Sequence, residues 1–262
     1  MLRKLLKYDF IKIFKVLGIF YGLGLVFAII ARVLTEVQDN ALIWFIFAQI
    51  FVGATWAMAI SGVVNSAVRS CVGFLKGMFG DEAYLYRTLP MKTRTVFIEK
   101  LIVGMVAILS SLIMMVVEIM IAYFPFEEMG ELLGLINNTL GTSKVVAAIF
   151  LFLIFFIEIL AVYSAGTAGI TFGHKRTNRK NGLSVLFGFV FYVLIQAFTV
   201  GSVFLVGLFD KNILKLFSSD LSAITPEIIK EAAVATSIAY IVSTLVLQYI
   251  SWRAVKKGID ID

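Results

Sequence analysis

The stretch VVAAIFLFLIFFIEILAVYSAGTAGITF, residues 145–172, decides the class of fold. Glu158 is the only charged residue in it. A helix of about 20 apolar residues crosses the hydrocarbon core of a bilayer, and this run is longer. A soluble helix of this length would carry a charged face, and here there is none. Five further runs of the same kind lie at roughly 16–34, 41–64, 101–124, 183–209 and 232–252, by the same measure of about 20 apolar residues each. The whole chain agrees: of 262 residues, 60% are hydrophobic and 15% charged. Soluble domains average roughly 45–50% and about 25%. The expected fold is all-α, a polytopic membrane protein with six transmembrane helices forming a single transmembrane domain over 1–262.

That excess excludes a soluble core, a disordered chain and a secreted disulfide scaffold. Cys71 is the only cysteine, so no intrachain disulfide can form. His174 is the only histidine, and metal centres need several His or Cys ligands. The same count argues against an intramembrane serine–histidine protease. His174, in Gly173-His174-Lys175-Arg176, reads as an ordinary side chain of a basic loop. Glu127-Glu128 reads as a solvated acidic patch. No catalytic residue and no metal ligand is therefore assigned, and the chain is not expected to be an enzyme. The net charge of +6 points to topology and anionic lipid, with no nucleic-acid partner.

The connections alternate in charge. Residues 1–15, 65–100, 173–182 and the tail together hold eighteen of the 23 Lys and Arg residues. The opposite side holds Arg32, Lys144, Lys211, Lys215 and Lys230, with nine carboxylates. The positive-inside rule then puts both termini in the cytoplasm, which an even number of spans allows. No cleavable leader is expected, because the basic start runs into an apolar stretch too long for one. Residues 1–15 read as an amphipathic interface helix. Leu2, Leu5, Leu6, Phe10, Ile13, Phe14 and Leu17 recur at spacings of three and four, with Lys4, Lys7, Lys12 and Lys15 mostly opposite. Thr225-Pro226-Glu227 reads as a helix start that continues into the last span.

The cytoplasmic connection 65–100 carries the most information. Asp81 and Glu82 open a short helix, where acidic side chains favour the dipole, and Pro90 stops it. Tyr84, Leu85, Thr88 and Leu89 share one face, and Arg87 adds a charge, as a knob for a partner's groove would. A plain solvated connection is the alternative. The string YLYRTLP at 84–90, followed by basic residues and EKL at 99–101, resembles the cytoplasmic loop of type-2 ATP-binding-cassette exporter permeases. The resemblance implies that Asp81, Glu82, Tyr84, Leu85, Arg87, Thr88, Leu89 and Pro90 form a coupling helix docking on a separate ATPase subunit. It implies a second permease copy, as homodimer or heterodimer, and a place in a bacterial cell membrane. By size and layout the likeness is to exporters of antimicrobial or toxin-like peptides. It further implies that residues 201–225, running into the outer loop 210–231 before span six, dip back into the outer leaflet, with Gly201 and Gly207 as bends. The chain has no G-x-x-x-x-G-K-[ST], so ATP and Mg are expected on the partner and no cofactor on this chain.

Polar residues within spans are costly and mark either a path or interhelical bonding. Glu158, with Gln49 and Gln196, is the candidate translocation path; Glu118 reads as a packing residue. Ala165 and Gly169, Gly18 and Gly22, and Gly53 and Ala57 are spaced for close helix contact. The alternative to an exporter is a membrane immunity or sensor module that binds a ligand or partner without moving anything.

Overall fold

The computed structural model describes residues 2–38, 41–80, 82–84, 92–123, 134, 144–175, 180–209, 213 and 226–256. Among them, six long helices carry the fold: α1 Leu2–Val37, α2 Leu42–Phe79, α3 Thr93–Ala122, α4 Lys144–Gly173, α5 Lys180–Phe209 and α6 Pro226–Lys256. All six contain a segment long and apolar enough to cross a membrane. The protein is an all-α, multi-pass membrane protein, as the apolar runs predict.

Helix continues past the apolar runs at several ends. α1 is one unbroken helix of 36 residues, so the amphipathic start is not set off from the span by a bend. Its lysines and arginine are good helix formers and nothing in 2–37 interrupts the backbone ladder. α2 continues through Asn65–Phe79, which hydropathy assigns to the connection. Ser66, Ser70 and Asn65 return their side-chain bonds to the backbone one turn earlier and leave the helix intact. Gly80 ends it, its amide bonding the carbonyls of Leu75 and Lys76. α5 is helical through Gly201 and Gly207, where bends are expected; of the region expected to be re-entrant, 210–212 and 214–225 lie outside the described residues. α6 starts at Pro226, as the Thr-Pro-Glu signal predicts.

The chain divides into two compact units, Met1–Phe74 with Thr95–Glu131, and Leu75–Arg94 with Leu132–Asp262. In the first, α3 buries a stripe at spacings of three and four that includes Val96, Glu99, Lys100, Val103, Ala107, Ser111, Glu118 and Ala122. Ile13 and Leu17 of α1 pack on Val103 and Ala107, with Leu6, Phe10, Phe14 and Tyr21 alongside. The amphipathic face thus lies against α3. Tyr21 bonds Ser110 at 3.1 Å and Ser111 at 2.6 Å. Phe74 meets Phe97 edge to face, 5.7 Å between centroids. Trp56 Nε1 donates to the Tyr123 hydroxyl at 3.0 Å.

In the second unit, Ala161, Ala165 and Ala168 of α4 form a core with Ile195 of α5 and Tyr240 and Leu247 of α6. Small residues bring α4 and α5 into backbone contact. A Cβ on Gly169 would lie 2.4 Å from the Gly188 nitrogen and 2.6 Å from the Ser184 carbonyl oxygen. One on Gly173 would lie 2.5 Å from the Ser184 nitrogen. The Ala165–Gly169 spacing therefore serves as expected. Gly18, Gly22 and Gly53 have open space where a side chain would be.

Candidate functional site

The expected coupling element begins immediately after the turn that ends α2. The Ala83 amide bonds the Gly80 carbonyl at 2.9 Å, and Glu82, Ala83 and Tyr84 are helical. Ala83 is buried and Tyr84 is 54% exposed. Asp81, Leu85, Arg87, Thr88, Leu89 and Pro90 lie outside the described residues.

Of the three expected path residues, two come together. Tyr240 of α6 donates its hydroxyl hydrogen to Gln196 Oε1 of α5 at 3.2 Å, and Glu158 of α4 lies within electrostatic reach of the same hydroxyl. Glu158 and Gln196 are half-buried. Tyr240 bonds Gln196 and feels the charge of Glu158, and the sequence pattern gives it no role. Gln49 belongs to the other unit, on an exposed face of α2. One helical turn or more further along α4, Gln248 Nε2 of α6 donates to Ser164 Oγ at 3.0 Å and Thr167 Oγ1 at 3.1 Å. This second belt of polar contacts ties α6 to α4.

Among the described residues the buried carboxyls are Glu118, read from the sequence as a packing residue, and Glu99, which the sequence places in a connection. Glu118 is 1% exposed, and its carboxyl lies against Gly24 of α1: a Cβ there would sit 2.3 Å from Oε1. A side chain at Gly24 would require this carboxyl to move. Glu99 is fully buried beside Lys100, which forms an ion pair with Asp9 of α1. Both Glu99 and Lys100 were expected in a connection. Their signal in the sequence is the spacing Val96, Glu99, Lys100, Val103, which places them on the stripe that α3 buries.

His174 follows the end of α4. Its Nδ1 is 3.0 Å from the Ile170 carbonyl oxygen, which can only accept, so Nδ1 carries the hydrogen. Ser184 Oγ is 3.1 Å from the same nitrogen and donates its own hydrogen to the Lys180 carbonyl. Phe79 stacks on the ring at 4.9 Å. Burial holds the imidazole below its usual pKa of 6.5; the nearby Lys180 charge works the same way and the Ile170 bond opposes it. This is a packed, neutral histidine. Among the described residues, no three His, Cys, Asp or Glu side chains are grouped to hold a metal ion.

Comparison with known proteins finds no family model, no curated protein and no solved structure that matches this chain.

Proposed function

We propose that this chain is the membrane-spanning subunit of an ATP-driven exporter of the type-2 ATP-binding-cassette class. Its substrate is an amphipathic or hydrophobic molecule, a peptide above all, moved out of the cytoplasm. One observation carries the reading: an exposed Tyr84 at the head of YLYRTLP, one turn beyond the end of a 38-residue helix. A helix of that length extends about 57 Å, well beyond the roughly 30 Å hydrocarbon layer. A knob at its end stands where a soluble subunit can grip it. ATP with Mg binds that subunit, its closure pushes on the 81–90 element, and a second permease copy completes the path. The basic ends of the helices then face the cytoplasm of a bacterial cell. Glu158 and Gln196, the latter bonded to Tyr240, line the path in this scheme.

The test is purification of the full chain in mild detergent. A subunit carrying a phosphate-binding P-loop should accompany it in equal amount. Recovery of the chain alone, with no such subunit under any lipid condition, removes the proposal and favours the immunity or sensor reading.

A further inference from the structure

Three charged side chains meet away from water where α1 and α3 pack. Lys100 Nζ is paired with Asp9 and lies 3.6 Å from Glu99 Oε2. Glu99 is fully buried; among the described residues neither of its carboxyl oxygens has a partner within hydrogen-bond distance, and the polar groups acting on it are Lys100 and Asp9. The side chains of Lys100 and Asp9 are 3% and 16% exposed. Among these three side chains, two carboxylates against one ammonium leave one negative charge in excess. An uncompensated buried charge is unfavourable by several kcal/mol, so the cluster calls for one more positive charge.

The ammonium of Lys100 already occupies the position between the carboxylates where a metal cation would sit. A hard cation would also need about six oxygen ligands. A proton needs no room. It removes the excess charge and turns one Glu99 oxygen into a donor for a neighbouring acceptor. The charged groups acting on Glu99 are Asp9 from α1 and Lys100 from α3 itself. α2 packs here through Phe74 on the Phe97 ring. Among the described residues it adds no charge acting on Glu99.

We propose that Asp9, Glu99 and Lys100 form a binding site for a single proton, held on the Glu99 carboxyl. With the proton in place the α1–α3 contact is neutral. When it leaves, Asp9 and Glu99 repel across Lys100 and the contact loosens. The site stands independently of the transport role, and its readouts need no partner subunit.

The test uses the full chain in lipid nanodiscs and infrared spectroscopy of the carbonyl band of protonated carboxylic acids. Glu118→Gln serves as the background, because Glu118 is the other buried carboxyl. At neutral pH this background retains a protonated-acid band, and adding Glu99→Gln abolishes it. The band also disappears as pH is raised. Relative to Glu99→Gln, the unsubstituted chain loses melting temperature as pH rises above the ordinary carboxyl range of about 4 to 5, because the folded chain holds a proton that the unfolded chain has released, and the loss levels off once Glu99 ionises. Glutamine copies the shape and neutrality of the protonated acid, so the variant folds. Persistence of the band when Glu99→Gln is added to the Glu118→Gln background overturns the proposal. So does a Glu99→Gln chain that fails to fold or melts lower at every pH, since Glu99 would then act as an anion. Melting that rises with sodium but not choline chloride, with no such band, assigns a metal cation and overturns it equally.

Discussion

Three glycines separate what a single methyl group can do. At Gly18 a Cβ meets nothing within 4 Å, so Gly18→Ala gains helix propensity of about 1 kcal/mol and raises the melting temperature. At Gly24 the Cβ meets the carboxyl of Glu118, the far end of a flexible side chain. That carboxyl must swing aside in a packed interior, which offsets the gain, and Gly24→Ala melts about where the unsubstituted chain does. At Gly169 the Cβ meets the backbone of Gly188 and Ser184, which cannot swing, and Gly169→Ala costs about 3 kcal/mol. Thermal melts of the three variants in one detergent check the order. His174 gives a second test at this scale. Its burial lowers the pKa, so below 6.5 the unfolded chain binds the proton that the folded chain refuses. Stability is complete above 6.5 and falls with pH below it. Relative to His174→Gln, the chain should lose melting temperature on going from about pH 7.5 to about pH 5. A parallel pair of melting curves would show the ring to be open to water.

At the scale of elements, α6 is held to α4 through Gln248, and only one end of its amide is used. Nε2 serves Ser164 and Thr167, while Oε1 is buried without a partner. Interhelical bonds of this sort inside membranes average about 0.6 kcal/mol, and a stranded oxygen offsets part of that. Gln248→Leu should therefore change the unfolding free energy by less than about 1 kcal/mol, read by equilibrium unfolding in detergent. A loss of several kcal/mol would mean that the amide holds more than two hydroxyls. The existence of the six helices is legible in the sequence because apolar runs of bilayer length have few other uses. Their ends are less legible. Hydropathy falls at Asn65 and at Lys15, but Lys and Arg continue a helix as readily as Leu does, and Ser66 and Ser70 bond back to the helix's own carbonyls, so the backbone goes on where the grease stops. Pro226 is read correctly because it acts on the backbone directly, whereas the stop at Gly80 is not anticipated once the connection is taken to begin at Asn65. Among candidate site residues, the nearness of Glu158 and Gln196 depends on Tyr240, more than forty positions away in sequence, and no local pattern announces it. Glu99 and Lys100 look like loop charges until the stripe of α3 is drawn through them.

At the scale of the whole molecule, the exporter reading makes one joint demand on 81–90. Tyr84→Ala together with Arg87→Glu should leave the chain folded and inserted. It should also abolish ATP-driven export at least ten-fold while the partner still hydrolyses ATP. Retained export in that double variant, measured in sealed vesicles, would free the element from any docking role. Glu158→Gln asks a separate question. It keeps the shape beside Tyr240 and removes the charge, so a path that relies on that charge loses export at unchanged expression.

The contact of Gly169 and Gly173 with Ser184 and Gly188 has a mechanical consequence. Two rods whose main chains touch without intervening side chains have no lubricating layer, and sliding one along the other would drive a carbonyl into an α-carbon. α4 and α5 therefore travel as a single beam in any rearrangement, and a disulfide engineered across that seam should be silent in every functional assay.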